Sequence, residues 1–288
     1  SRLTVSTSRL WKELAKLLFV CCRKANRCLS NETALLSATM SGKRSNAMSD
    51  PRVLVIIPTY NERDNLPILI DAVFSVMDKV HVLVIDDASP DGTGQVADAM
   101  ARRDPRVCVL HRAAKLGLGT AYVEGFKLAL ERGFEVVVEM DADMSHDPRY
   151  LPALIGAVRD GADVAVGSRN IPGGGVQGWG LGRQLLSKGG SLYSRVILGV
   201  DTRDLTTGFK AFSRRALETI GVDEIRSNGY SFQIETTYRA LCWGLHVVEV
   251  PIIFVDRRVG QSKMSRRVFV EAVGMVWKLR VEALLNKL

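Results

Sequence analysis

From Arg52 onward, short unbroken apolar runs alternate with stretches in which apolar residues return every third or fourth position, predicting strands and helices in turn. Val53–Ile57, Val80–Ile85, Val107–Leu110, Val136–Met140 and Asp163–Val166 read as strands. Helices are expected between them over Leu66–Met77, Thr93–Arg103, Thr120–Arg132 and Pro148–Arg159. Val- and Ile-rich runs without polar alternation belong to strands covered on both faces. The expected fold class is therefore α/β, with a doubly wound, mostly parallel sheet.

After Gly167 the rhythm changes. A glycine-rich loop holding Gly173, Gly174, Gly175, Gly178, Gly180 and Gly182 precedes a predicted helix near Arg183–Leu198. A strand is expected over Thr206–Phe212, a helix over Phe232–Trp243, and a strand over Val247–Val255 broken at Pro251. This α+β C-terminal half is expected to pack on the first half as one domain spanning residues 48–265. Residues 266–288 then form an amphipathic helix, with Phe269, Ala272, Val273, Val276 and Leu279 on one side and Lys278, Arg280, Glu282 and Lys287 elsewhere. Such a stripe serves packing on the core, on a second subunit or on lipid.

Composition narrows the picture. With 288 residues and 47% apolar content the chain can bury a sizeable core, which excludes disorder for most of it. Its formal charge of +8 is concentrated at the ends. Residues 1–47 carry nine Lys and Arg against two acids, residues 48–255 carry 22 against 26, and residues 256–288 carry eight against three. Basic ends beside apolar residues suit an anionic membrane surface, and no nucleic-acid partner is expected. The five cysteines show no paired C-x-x-C spacing, so neither a disulfide framework nor a zinc site is supported. Cys108 and Cys242, among apolar neighbours, read as small buried hydrophobes in a reducing compartment. No run approaches the roughly 20 apolar residues of a membrane span. Residues 1–47 read as a poorly structured extension, or as sequence ahead of a start at Met48.

Four constellations fall at predicted strand ends. Pro58-Thr59-Tyr60-Asn61-Glu62 follows the first strand and offers a ring for stacking and a carboxylate for ribose or base, or else a helix-entry turn capped by Asn61. Asp86-Asp87-Ala88-Ser89-Pro90-Asp91-Gly92 follows the second, where α/β proteins place nucleotide contacts. Turn chemistry accounts for Asp91 and Gly92, but two adjacent like charges at a buried strand end need compensation. Asp141-Ala142-Asp143 follows the fourth strand. On an extended backbone both carboxylates would point one way and suit a shared Mg²⁺ or Mn²⁺, although a polar loop would look the same. The fourth set is basic: Arg169 after the fifth strand, Arg183 and Ser187 one helical turn apart, and Arg257, Arg258 and Lys263 after the last strand. Arg and Lys suit phosphate, as fork and as point charge.

Together with Leu116-Gly117-Leu118-Gly119-Thr120-Ala121-Tyr122, Ser145-His146, Gly167-Ser168-Arg169 and Asp204-Leu205-Thr206-Thr207-Gly208-Phe209, these motifs occur in an order that carries a resemblance. From about Arg52 to about Lys263 the chain resembles the dolichyl-phosphate (polyprenyl-phosphate) mannosyltransferases of glycosyltransferase family 2. The resemblance implies a GT-A fold, a divalent metal (Mg²⁺ or Mn²⁺), and inverting transfer of mannose from GDP-mannose to a polyprenyl or dolichyl phosphate in the membrane. It implies that Pro58, Tyr60, Glu62, Ile85 and Asp87 hold the nucleotide, with Asp141, Ala142 and Asp143 against the metal and diphosphate. Arg169, Arg257 and Lys263 would face the donor and, with Asp143, carry the catalysis, while Arg169, Arg183 and Ser187 would receive the lipid phosphate. Some members carry Gln as a further metal ligand where this chain has Ser145, so a hydroxyl or a water substitutes there. Action at the cytoplasmic face of a membrane follows, through peripheral contact or a separate membrane subunit. A UDP-glucose-dependent transferase on the same lipid, or a non-catalytic nucleotide-sugar-binding subunit, are the alternatives.

Overall fold

The Val- and Ile-rich runs form the centre of the molecule, for which a computed structural model describes residues 52–255 and 266–285. Strands β1 (Val53–Thr59), β2 (His81–Asp86), β3 (Val107–His111), β4 (Val136–Glu139) and β5 (Val164–Ser168) alternate with helices α1 (Asn65–Val76), α2 (Thr93–Arg103), α3 (Leu118–Glu131) and α4 (Leu151–Arg159). A short 3-10 turn at Pro148–Tyr150 leads into α4, because Asp147 caps it and the ring of Pro152 enters the helix only afterwards. Beyond β5 come β6 (Gly175–Gln177), α5 (Leu181–Leu198), β7 (Lys210–Ser213), α6 (Arg214–Thr219), α7 (Gly229–Cys242), β8 (Val247–Pro251), β9 (Ile253–Val255) and α8 (Arg266–Leu284).

Seven strands make one sheet in the order β3-β2-β1-β4-β7-β5-β8. All pairings in it are parallel except those of β7, which runs antiparallel between β4 and β5. Alternation along the strands sorts the core into two layers. Val53, Val55 and Ile57 face a layer closed by Leu66, Leu69, Leu151 and Leu154, whereas Leu54 and Ile56 face Tyr122, Phe126, Phe212 and Phe232. On this second side α3 lies close to the sheet at Gly125, where a Cβ would come within 2.8 Å of Ile56. A third cluster joins Leu198 of α5, Ile234 and Tyr238 of α7, and Val276 and Leu279 of α8.

The structure departs from the expected pattern mainly in the second half. The strand expected over Thr206–Phe212 is shorter and later, because Asp204 accepts from the Thr206 N–H (3.3 Å) and hydroxyl (3.2 Å) and holds that stretch in a turn. Within the glycine-rich loop, β6 pairs in parallel with β9 to form a separate two-stranded sheet. The run Val247–Val255 is accordingly two strands in two sheets, divided just after Pro251, at Ile252. Helix α6, unforeseen, is started by Ser213, whose hydroxyl accepts from Ala216 N at 3.0 Å. Cys242, expected inside, is exposed at the end of α7, and Cys108 is half-buried.

Candidate active site

Strands β1 and β4 are neighbours, yet β1 leads outward to β2 on one side while β4 lies toward β7 and β5 on the other. Their carboxyl ends therefore flank the crevice in which open α/β sheets bind ligands. Three non-glycine residues have positive φ among the described residues: Asn61 (62°), Ala88 (53°) and Met144 (63°). They stand in the loops after β1, β2 and β4, around that crevice. For Ala88 and Met144 this conformation costs about 1–2 kcal/mol, a strain that tends to persist where a loop is shaped for function.

On the β1 side, Pro58 is half-buried and pairs in register with Ile85. Ile85 is fully buried and lies against Gly125. The Tyr60 ring lies beneath the Lys115 ammonium, 3.8 Å from its centroid. Asn61 does not cap α1; its N–H donates to Ser89 Oγ (3.1 Å), and the Glu62 carbonyl takes the first helical N–H groups. The Glu62 carboxylate accepts from Asn65 Nδ2 at 2.8 Å.

The adjacent acids after β2 point to different partners. Asp86 accepts from Ser89 Oγ (2.5 Å), Ser89 N (3.2 Å) and Thr59 Oγ1 (3.2 Å). Asp87 is met by the Arg112 guanidinium at 2.7 Å and by Gly117 N–H at 3.2 Å. Arg112, buried and also donating to Thr120 Oγ1 at 2.5 Å, is the compensating charge the sequence demanded but did not identify. Its signal was positional: β3 pairs His111 with Asp86, so the next residue falls beside Asp87.

The Asp141–Asp143 segment is a bend rather than an extended strand, so its side chains do not share one side by pleat alone. Asp141 keeps 30% side-chain exposure, Ala142 is buried in the core, and Asp143 is buried and accepts from Ser145 N at 3.1 Å. Beneath them Tyr122 is fully buried, and burial, together with Asp141 and Glu139, holds its phenol ionisation well above the usual range. Glu139 on β4 and Lys210 on β7 are register partners, both fully buried. Burial pushes Glu139 up to about 7 against the opposing pull of Lys210 and Gln233, and burial lowers Lys210 to about 8. The Gln233 amide faces the carboxylate, although neither Glu139 oxygen has a partner in full hydrogen-bonding geometry. Lys210 Nζ donates to Gln233 O (2.7 Å) and Thr236 Oγ1 (3.0 Å).

The oxygen-only donor set of Asp141 and Asp143 fits a hard divalent cation. Beside it the Ser145 hydroxyl is buried without a hydrogen-bond partner, an orphan that such an ion or its water would satisfy. Among the described residues no group of three or more His, Cys, Asp or Glu side chains converges on a metal position. Two carboxylates would thus have to share an ion with substrate phosphates and water, the usual habit of Mg²⁺.

Arg169 is committed to a buried fork: Nε and Nη2 each lie 2.7 Å from an Asp204 oxygen, and Nη2 donates to Thr206 Oγ1 at 2.8 Å. Aromatic side chains from the small β6–β9 sheet region connect the basic and acidic groups. Trp179 carries the Arg183 guanidinium 4.1 Å above its ring and lies 5.8 Å from that of Arg169. Phe254 on β9 meets Trp179 edge-on at 5.3 Å and His146 at 5.7 Å. Arg169 and Arg183 are thereby brought to the Asp141–His146 loop through Trp179 and Phe254, neither of them expected, and through His146, which the motif contained without a role. Ser187 lies half-buried on α5, one turn beyond Arg183. Arg257 and Lys263 lie outside the described residues.

A mostly parallel sheet with a carboxylate pair at its switch point and phosphate-suited arginines nearby is the architecture of a nucleotide-sugar transferase of the GT-A type. The model of Glycosyl transferase family 2 matches residues 54–221, and the chain belongs to that family of glycosyltransferases. It is 52% identical over 232 residues to the polyprenol monophosphomannose synthase of Mycolicibacterium smegmatis, covering 80% of this chain and 88% of that protein. It is 50% identical over 222 residues to the undecaprenyl-phosphate mannosyltransferase of Micrococcus luteus, covering 77% and 91%. Among solved structures, glucosyl-3-phosphoglycerate synthase from Mycobacterium tuberculosis shares the fold, with a TM-score of 0.58 at 19% identity over 81% of this chain and 80% of that one. The same enzyme in complex with Mn²⁺, UDP and glucosyl-3-phosphoglycerate superposes with a TM-score of 0.55 at 20% identity, covering 82% and 80%.

Proposed function

We propose that this glycosyltransferase moves mannose, with inversion, from GDP-mannose to a polyprenyl (dolichyl-type) monophosphate. The observation that carries the reading is the Asp141/Asp143 pair at the switch point, linked through aromatic rings to Arg169 and Arg183, in a chain half identical to two enzymes named for joining mannose to a polyprenyl phosphate.

In this reading Tyr60, Glu62 and Asp87 bound the nucleotide, and Asp141, Asp143 and the Ser145 hydroxyl hold Mg²⁺ or Mn²⁺. When bound, the ion neutralises charge on the departing diphosphate. Arg183 and Ser187 orient the acceptor phosphate, which at neutral pH is already largely ionised, its second pKa being about 6. No dedicated general base is then needed. Arg169, rigid in its fork with Asp204, supplies fixed positive charge between the two phosphates, and the motif order assigns Arg257 and Lys263 to the leaving group. A lipid acceptor places the reaction at a bilayer surface, read as the cytoplasmic face. Among the described residues no helix is long and apolar enough to cross a membrane. Peripheral contact is supported by α5, which turns Leu185, Leu192 and Val196 outward beyond Arg183, and by the basic 256–288 end.

The test is transfer of labelled mannose from GDP-mannose, against labelled UDP-glucose, to a short polyprenyl phosphate with Mg²⁺, Mn²⁺ or EDTA. Expected are mannosyl transfer, its loss in EDTA, and a drop of at least about a hundredfold in Asp143→Ala. Glucose transfer would replace the donor assignment, and wild-type turnover by Asp143→Ala would remove the metal site.

A further inference from the structure

His146 sits at the far end of the loop that begins at Asp141, buried to 1% exposure. Its ring stacks on Phe209 with centroids 4.9 Å apart and planes 11° from parallel, and Phe254 meets it at 79°. These two contacts fix the plane of the imidazole. The main-chain N–H of Asp141 lies 3.0 Å from His146 Nδ1. A main-chain N–H can only donate, so Nδ1 accepts, and the single proton of the neutral ring is on Nε2. That nitrogen lies 3.8 Å from Asp141 Oδ2, beyond a hydrogen bond but within reach of the N–H dipole. The loop therefore closes on its own first residue, held by a side chain clamped between Phe209, just before β7, and Phe254 on β9.

We propose that His146 is a positioning residue for Asp141: a neutral, Nε2-protonated imidazole that pins the Asp141 backbone and sets the angle of its carboxylate at the ion. The inference rests on the reading of Asp141 as a metal ligand. It differs from simple core filling in a checkable way, because it depends on one acceptor atom and not on volume. Asparagine places its carbonyl oxygen where Nδ1 stands, glutamine places its amide near Nε2, and phenylalanine keeps the stack while removing both nitrogens.

The experiment uses the full chain and its variants His146→Asn, His146→Gln and His146→Phe, with two readouts. The first is Mn²⁺ affinity in the presence of GDP, measured by electron paramagnetic resonance of the free ion. Outer-shell partners of ligands typically carry 10–100-fold in metal affinity. His146→Asn is expected within about threefold of wild type, and the Gln and Phe variants at least about tenfold weaker. Equal affinities in all four proteins, or equal weakening in all three variants, would overturn the role. Should the Phe variant fail to fold, the Asn–Gln contrast alone decides. The second readout is the long-range proton–nitrogen spectrum of the imidazoles, tractable with four histidines. The signals lost in His146→Asn should show the Nε2-protonated pattern, and an Nδ1-protonated pattern would overturn the assignment. A wild-type protein that binds no Mn²⁺ would remove the metal reading and this role with it, while the tautomer readout still reports separately on the bond to Asp141.

Discussion

Helices α1 and α5 solve opposite problems. Helix α1 buries Leu66, Leu69, Ile70 and Val73, at the three- and four-residue spacing of a single stripe, against the sheet. Helix α5 buries Ser191, Ser194 and, at its end, Leu198, while turning out Leu185 (71% exposed), Leu192 (58%) and Val196 (69%). Its inner face combines a small apolar cluster around Leu198 with polar contacts: Asn170 Nδ2 donates to Ser191 Oγ (3.3 Å), and Arg280 donates to the Leu198 carbonyl (3.2 Å). The crevice half of the molecule is thus stabilised by its own dry core, whereas α5 leaves apolar surface in water with Arg183 and Ser187 on the same helix. One half is built for rigidity and the other for a second apolar phase.

The comparison is tested most severely where the two halves join. Arg169 at the end of β5 and Asp204 before β7 form a fork whose carboxylate is wholly buried. Burial alone would raise the Asp204 pKa, but the Arg169 guanidinium outweighs it and holds the carboxyl below its usual range. Removing one member leaves the other charge buried and unpaired, which costs roughly 3–5 kcal/mol. Arg169→Met should therefore lose that much in urea unfolding and lose transfer as well. A loss below about 1 kcal/mol would mean that the fork is hydrated and the joint soft.

A paired experiment on α5 separates its two faces. Leu198→Ala, on the buried side, should cost about 2–5 kcal/mol of stability. Leu185→Ser, Leu192→Ser and Val196→Ser, separately, should each change stability by no more than about 0.5 kcal/mol. Combined, these three are expected to lower cosedimentation with anionic vesicles by at least about tenfold, since each apolar side chain removed from water contributes about 1.5–3 kcal/mol when fully buried. Unchanged vesicle binding in the triple variant would assign the outward stripe to a protein neighbour instead.

How legible each region was follows from the same contrast. Strands β1 to β5 and helices α1 to α4 were readable because each announces itself locally, by a continuous Val/Ile run or a regular apolar return. Strand β6 was not, because three residues, Gly175-Val176-Gln177, acquire strand character only by pairing with Ile253-Phe254-Val255 far along the chain. In the site, the acids and the glycines of the ordered motifs were visible as residue types. Arg112, Asp204 as the fork to Arg169, and the Trp179–Phe254–His146 connection were not, since each depends on which strand ends lie side by side. The inverted face of α5 escaped for another reason: the helical period is normal, and only packing shows which side is out.

A further expected effect concerns the charges under the crevice, for which α5 has no counterpart among its buried residues. Glu139, at about 7 instead of the ordinary 4.5, keeps its proton in the folded protein over a range where the unfolded chain has released it. Its contribution is present below pH 4.5 and is lost as pH rises through about 7. Lys210, at about 8 instead of 10.5, releases its proton early in the folded protein, so its contribution is present above 10.5 and is lost as pH falls through about 8. Between pH 5 and 7 the pair should therefore make wild-type stability decline relative to a variant with neutral residues at both positions. Glu139→Gln with Lys210→Met removes both titrations while filling similar volume. The difference in urea midpoint, wild type minus variant, should fall steadily from pH 5 to 7 and turn upward only above about 8. A difference independent of pH would mean that water reaches Glu139 and Lys210, and that the floor beneath Asp141 is no drier than the outer face of α5.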